Sequence, residues 1–322
     1  ERSILQHVED DSVYTPLTET EKQEVRDYWG IEPVSFKEYE VYKHFRGFDV
    51  RFMPMSIYLP LISRRLNDYQ YTKILEHKSL FGYLTKGVVR FPHCFIRVVN
   101  GEYYSDDMRQ LTKQEAIDNC LHCDRMVVKD SLGGFGGKGI EILKLNGLSL
   151  AERRKTIESS IDKRYTDFVI QEFLYEDEEL KQFNPSSVNT IRIQSLYLNG
   201  KWSPVTIILR FGGEGSDVDN ACSGGYTVGV HPDGSLYEYG YNYKMKRTDH
   251  IGNIIFRNYG RLSRGNYGTV LTGGFALAST AKPTPWLSPY AKENNVLLCE
   301  PTGTLTTRCV PSTNGRPTAG RR

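Results

Sequence analysis

The run Val127-Val128-Lys129-Asp130-Ser131-Leu132-Gly133-Gly134-Phe135-Gly136-Gly137-Lys138-Gly139-Ile140 concentrates the residue types that handle phosphate. Glycines let a backbone come close to a ligand and adopt positive φ, so successive N–H groups can converge on an anion. Lysine and serine add a charge and a hydroxyl. A P-loop would need a glycine where Leu132 stands and Ser or Thr where Gly139 stands, so that reading fails. Gly134-x-Gly136-x-x-Gly139 has the spacing of the dinucleotide fingerprint, but that fingerprint must open a helix. Here Ile140, Ile142 and Leu145 read as a strand. What remains is a strand–loop–strand flap. Gly134, Gly136 and Gly137 would close over a triphosphate, with Lys129 on the entering strand and Ser131 at the mouth of the loop. Protein kinases carry a comparable cover, with their lysine on the strand after it.

The elements that must position this flap read as α+β rather than as a regular βαβ alternation. The first eighty residues have helical texture. Thr18-x-x-Glu21 and Ser35-x-x-Glu38 are both spaced as capping boxes, with Gly30 and Gly47 as stops. Further helices are predicted near 56–66 and 73–84. Asn100-Gly101 between Phe95–Val99 and Glu102–Tyr104 predicts a tight hairpin. Thr112-x-x-Glu115 caps a short helix, and 148–164 reads as an amphipathic one. Arg125–Lys129, Ile140–Leu145 and Phe168–Leu174 read as strands. Thr190–Leu198 and Trp202–Phe211 form a hairpin, and Tyr226–Val230 and Leu236–Tyr239 flank Pro232-Asp233-Gly234.

The 322 residues are 39% hydrophobic and 25% charged, ordinary for a globular chain, and the net charge of +2 gives no sequence-wide case for nucleic acid or an anionic membrane. No apolar run reaches the roughly 18–20 residues of a membrane span. Cys120-x-x-Cys123 has metal or redox spacing, but no second pair stands at zinc-site distance. The six cysteines read as reduced thiols, and with no signal-peptide pattern the expected location is cytoplasmic.

Lys129 with its glycine flap, followed by Val169-Ile170-Gln171-Glu172-Phe173-Leu174, resembles the ATP-grasp fold. The run Asn184-Pro185-Ser186-Ser187-Val188-Asn189-Thr190-Ile191-Arg192-Ile193, with Arg210, Asp219-Asn220 and Gly224-Gly225, narrows the likeness to the ATP-grasp group associated with sugar transfer and polysaccharide clusters. The amino-terminal texture agrees, and the resemblance covers roughly residues 15–250. It implies two α+β lobes clasping a nucleotide, ATP with magnesium, preceded by a helical region. Lys78 and Lys129 would neutralise phosphates. Gln171, Glu172, Phe173 and Leu174 would form the hinge that holds adenine, and Glu176 or Glu179 would hold the ribose. Arg192 and Arg210 would stabilise the transferred phosphoryl group, and Asp219 and Asn220 would offer oxygens to magnesium.

The chain departs from the family pattern in two places. His77 stands where an Asp usually precedes the first lysine, and the late Glu-x-Asn strand is missing; Glu300-Pro301 is the nearest run. The expected organisation is a helical region over 1–75, an ATP-grasp domain over 76–259 with flap 129–140 and hinge 170–174, and a divergent, disordered or frameshifted tail over 260–322. The expected activity is ATP-dependent ligation through an acyl phosphate, on a small-molecule or glycan-precursor substrate. A kinase on the same lobes and an inactive nucleotide-binding protein are the alternatives.

Overall fold

The computed structural model describes residues 11–31, 35–63, 69–86, 91–133, 139–186, 188–198, 201–213, 224–242 and 244–262, with the single positions 8 and 215. It is a mixed α+β structure with amino-terminal helices and antiparallel sheets.

Helix α1 (Glu19–Trp29) starts at a true capping box: the Thr18 side chain accepts from Glu21 N, and Glu21 reaches back to Thr18 N. It stops at Gly30 in the left-handed conformation. Helix α2 (Lys37–Arg46) corrects the second expected box. Its N-cap is Phe36 with no side-chain bond, because Glu38 turns inward to accept from Ser56 N and Oγ. The buried Tyr39 joins these helices to the following segment, its hydroxyl donating to the carbonyls of Val50 and Phe52.

Where a helix is predicted over 56–66 the described chain is helical but irregular, α3 (Met55–Ile57) running into a π-helical turn at Tyr58–Ser63, and 64–66 lie outside the described residues. Pro60 has no N–H for the i→i−4 ladder, which opens the wider turn. The helix predicted over 73–84 is two, α4 (Tyr69–Glu76) and α5 (Lys78–Leu84). His77 breaks it in an extended conformation, its Nε2 3.4 Å from Asp167.

The first sheet has strand order β3-β2-β1-β6-β4-β5 and is antiparallel throughout. Its strands are β1 (Cys94–Val99), β2 (Glu102–Tyr104), β3 (Gln110–Leu111), β4 (Arg125–Asp130), β5 (Ile140–Lys144) and β6 (Phe168–Glu172). Asn100 and Gly101 take φ of 53° and 80°, the primed turn that their types favour. One face packs on α6 (Lys113–Asp118) and α7 (Leu150–Asp162), burying Ile96, Met126, Val128, Leu143, Ile157 and Ile170. Both helices begin at capping boxes, Thr112/Glu115 and Ser149/Glu152.

The second sheet is a meander, β11-β10-β9-β8-β7. It runs through β7 (Thr190–Leu198), β8 (Lys201–Phe211), β9 (Tyr226–Val230), β10 (Leu236–Asn242) and β11 (Arg247–Thr248). Its own core gathers Leu180, Ile191, Leu209, Phe211, Val228 and Phe256. A small hairpin, β12 (His250–Ile251) with β13 (Ile254–Ile255), follows. Among the described residues no helix is long and apolar enough to cross a membrane.

Candidate functional site

Strand alternation divides the first sheet into a helix-covered face and an opposite one. Val127 pairs with Gln171, and Lys129 with Val169 and Ile140. Arg97 pairs with Val169, and Ile142 with Val127. All of these therefore share the face away from α6 and α7. On it the Lys129 ammonium donates to the Gln171 amide oxygen at 3.1 Å. The bond crosses from the strand that enters the glycine loop to the strand that leads into 171–174.

Helix α5 docks at one end of that face. Lys78 N donates to Ser131 O, and Lys78 Nζ to Asp130 O, both at 3.0 Å. The second lysine thus reaches the backbone next to Lys129. Burial lowers the Lys78 pKa, with Asp130 and Glu76 opposing the shift. Ser131 is fully buried, and its hydroxyl pairs with that of Ser79, which also donates to Phe168 O at 3.0 Å. Its position anchors α5 to the base of the glycine loop. The buried Arg97 secures the same helix, donating to Ser79 O at 3.0 Å and to Asp106 at 2.6 Å.

The loop's two stems are clasped by one guanidinium. Arg164 bridges Asp130 on β4 and Glu141 on β5. Asp130 N also donates to Gly139 O at 3.0 Å, and Gly139 sits at φ +72° against the Asp130 carboxylate, where a Cβ would collide with Oδ2. Gly134, Gly136 and Gly137 lie outside the described residues.

Beyond β6 the chain runs as a strap from Phe173 to Asp177. Gln171 and Leu174 are buried, and the Arg125 guanidinium lies 3.9 Å from the Phe173 ring centroid. Glu172 accepts from His93 N at 2.9 Å. Glu176 accepts from the backbone N–H of Asp177 and of Asn189, tying the strap to the start of β7. Desolvation pushes its carboxyl up to about 7. Glu179, on helix α8 (Glu178–Lys181), accepts from the Tyr259 hydroxyl at 3.1 Å. Both acids named for the ribose are thus held by the strap and its neighbours. Asn189 is itself buried, donating to Leu180 O at 2.8 Å and Asn184 O at 2.9 Å.

In the second sheet, Thr190 pairs with Arg210, Arg192 with Ile208, and Arg210 with Thr227. Arg192 and Arg210 therefore occupy one face at diagonal positions, opposite the apolar face of Ile191, Leu209 and Val228. Asp219 and Asn220 lie outside the described residues.

One family matches this sequence: sugar-transfer associated ATP-grasp, over residues 61–251, more than half of the chain. The chain belongs to that family. Comparison with curated proteins and with solved structures finds no match.

The matched span of the ATP-grasp protein holds the glycine loop, the strap and both arginines. Sequence reading missed Arg97, Asp106 and Ile142 around the Lys129 face, and Glu141 and Arg164 at the stems of the loop on the helix-covered side. Only Ile142 left a signal, in the alternation of β5 with Ile140; the others act through partners distant in the chain. The Cys120 thiol is buried, donates to Ala116 O at 3.6 Å and has its pKa raised by desolvation.

Proposed function

We propose that this ATP-grasp protein is a ligase that uses ATP to activate a carboxylate for attack by an amine or another nucleophile. The observation that carries the reading is the Lys129–Gln171 bond across β4 and β6. It joins the flap's entry strand to the strap on the face away from the covering helices. A lysine there, at the open end of a glycine loop, fits a polyphosphate. The half-buried Ile140 and Ile142 offer the same face an apolar floor for the nucleotide base. The strap would hold the base edge through backbone groups, and Glu176 or Glu179 the ribose.

In this reading Lys78 and Lys129 neutralise phosphate oxygens while the flap's N–H groups exclude water. A carboxylate oxygen of the substrate attacks the γ-phosphorus. The bond to the bridging oxygen breaks, and ADP leaves with the electron pair. The acyl phosphate then reacts with the nucleophile at its carbonyl carbon, releasing phosphate. Arg192 on β7 and Arg210 on β8, diagonal on one sheet face, would grip the transferred phosphoryl group bidentately. Such catalysis is mostly positioning and charge neutralisation.

Magnesium, when bound, would spread the phosphate charge. Among the described residues no three His, Cys, Asp or Glu side chains form a metal-holding group. Asp219 and Asn220, outside the described residues, are proposed as its donors, since magnesium keeps several waters and takes few protein ligands.

Calorimetric titration with ATP, with and without magnesium, tests the reading. Magnesium should tighten binding, and Lys129→Ala should weaken it about 10–100-fold, or ~1.4–2.7 kcal/mol. Equal affinity of the two proteins would remove Lys129 from the site. Hydroxylamine added during turnover should trap a hydroxamate; a phosphorylated alcohol as product would make the protein a kinase instead.

A further inference from the structure

A cleft of about 870 Å³ opens between the end of α2 and the β10–β11 hairpin. Its size falls in the range of small-ligand sites. Strand β10 supplies Tyr237, Tyr239 and Tyr241 to its wall, and the α2 end adds Phe45, whose ring meets Tyr241 edge-on at 5.3 Å. Between and beside these rings stand Arg46, Lys244, Lys246 and Arg247, while Glu238 is the one acid on the wall. Asn242 shapes the hairpin turn, its Oδ1 accepting from the N–H of Lys244 at 3.0 Å and of Lys246 at 2.9 Å. Arg247 lies 4.4 Å from the Tyr239 ring centroid.

The register places this wall. Tyr241 pairs with Thr227, and Thr227 with Arg210, so Tyr241 is on the arginine face of the second sheet. Tyr237 lies over Gly229 on that face, where a Cβ would sit 2.6 Å from the ring. Only β9 separates the tyrosine strand from Arg210. Two strand spacings, about 10 Å, span the gap. Thr227, a small side chain between Tyr241 and Arg210, leaves that path low, while the Tyr237 ring covers Gly229 beside it.

We propose that this cleft is the acceptor subsite and that it takes an acidic oligosaccharide, a sugar chain with carboxylates on more than one unit. Flat aromatic faces suit the C–H faces of pyranose rings, and the cations suit the carboxylates between them. A chain seated on the tyrosines would extend across β9 and present its next carboxylate to Arg210. The inference rests on the ligase reading only in calling the ligand an acceptor.

The test is titration of the full chain, without nucleotide, using tetragalacturonate, neutral maltotetraose and inorganic phosphate in parallel. Tetragalacturonate should bind at least about tenfold more tightly than either. Arg46 and Lys246 are exposed, so the double variant R46E/K246E should fold with an unchanged melting profile and lose that preference. Tyr239→Ala should weaken both sugars and spare the salt dependence.

Equal binding of the acidic and neutral sugars, phosphate binding as tight as the tetramer, or an indifferent double variant would each overturn the proposal. ATP titration of the same preparation keeps the two readings apart. Sugar binding without ATP binding fells the ligase and leaves the cleft; the reverse fells the cleft alone.

Discussion

Glu176 accepts two backbone N–H bonds and is nevertheless held more readily protonated than a carboxyl in water, because burial outweighs them. Its pKa rises from 4.5 to about 7 on folding, so the folded state binds the proton more tightly than the unfolded chain. The stability this contributes is complete below the unfolded value and is lost as pH climbs through the folded one. Glu176→Gln should therefore flatten the pH dependence of unfolding between about 4.5 and 7. At pH 8 it should unfold at higher denaturant than the parent, by roughly 1–2 kcal/mol after discounting for the group's partial exposure. Parallel denaturant series at the two ends of that window decide it; identical slopes would mean Glu176 titrates as it does in water. Lys129 could be picked out from the chain because it stands beside its glycine loop, whereas Arg192 and Arg210 are named only through the family resemblance; their shared sheet face comes from the strand register. Arg97 and Arg164 could not. Each is defined by acids and carbonyls on other elements, and nothing local distinguishes them from surface arginines.

At the scale of elements, the base of the glycine loop is a clasp rather than a hinge. Arg164 holds both stems, and Gly139 takes a backbone conformation that L side chains rarely adopt, against the Asp130 carboxylate. Gly139→Ala should cost about 1–3 kcal/mol from the positive φ alone. It should also weaken ATP binding by loosening the flap; thermal melts with and without nucleotide read both effects. Local signals were legible wherever one short segment contained the whole device. Thr18/Glu21 and Thr112/Glu115 close on themselves, and Asn100-Gly101 makes its own turn. Ser35/Glu38 carries the same spacing, but a partner eighteen positions away, Ser56, takes the carboxylate. The break at His77 has the same origin, since Asp167 and Ser131, at the paired ends of β6 and β4, hold the chain there.

Among the described residues the two largest buried clusters lie one under each large sheet. Met126 belongs to the first and Phe256 to the second, both essentially without solvent exposure. Met126→Ala should cost about 2–5 kcal/mol and Phe256→Ala about 3–5. In scanning calorimetry each should lower a different part of the unfolding profile, whereas a nucleotide gripped by both sheets should raise the whole of it. Variants that shift one common transition equally would show a single cooperative unit. The long strands and their hairpins were readable in advance, but the two-residue strands β3, β11, β12 and β13 were not, and neither was the order β1-β6-β4, because hydrophobic alternation gives a strand's buried face and not its neighbour.

That order also sets a timetable for synthesis. The second sheet is a meander, so each strand finds its neighbour as soon as the next one leaves the ribosome. The first sheet cannot close in that way. Strands β1 and β4 are made early, yet the strand that must lie between them, β6, emerges only after α7 has been translated. At roughly 5–20 residues per second, the nascent chain holds the bare edges of β1 and β4 apart for several seconds. During that interval Ile96, Val98, Met126 and Val128 lie on a sheet that is still unfinished, and the arrival of Phe168–Glu172 between β1 and β4 is the step that closes it.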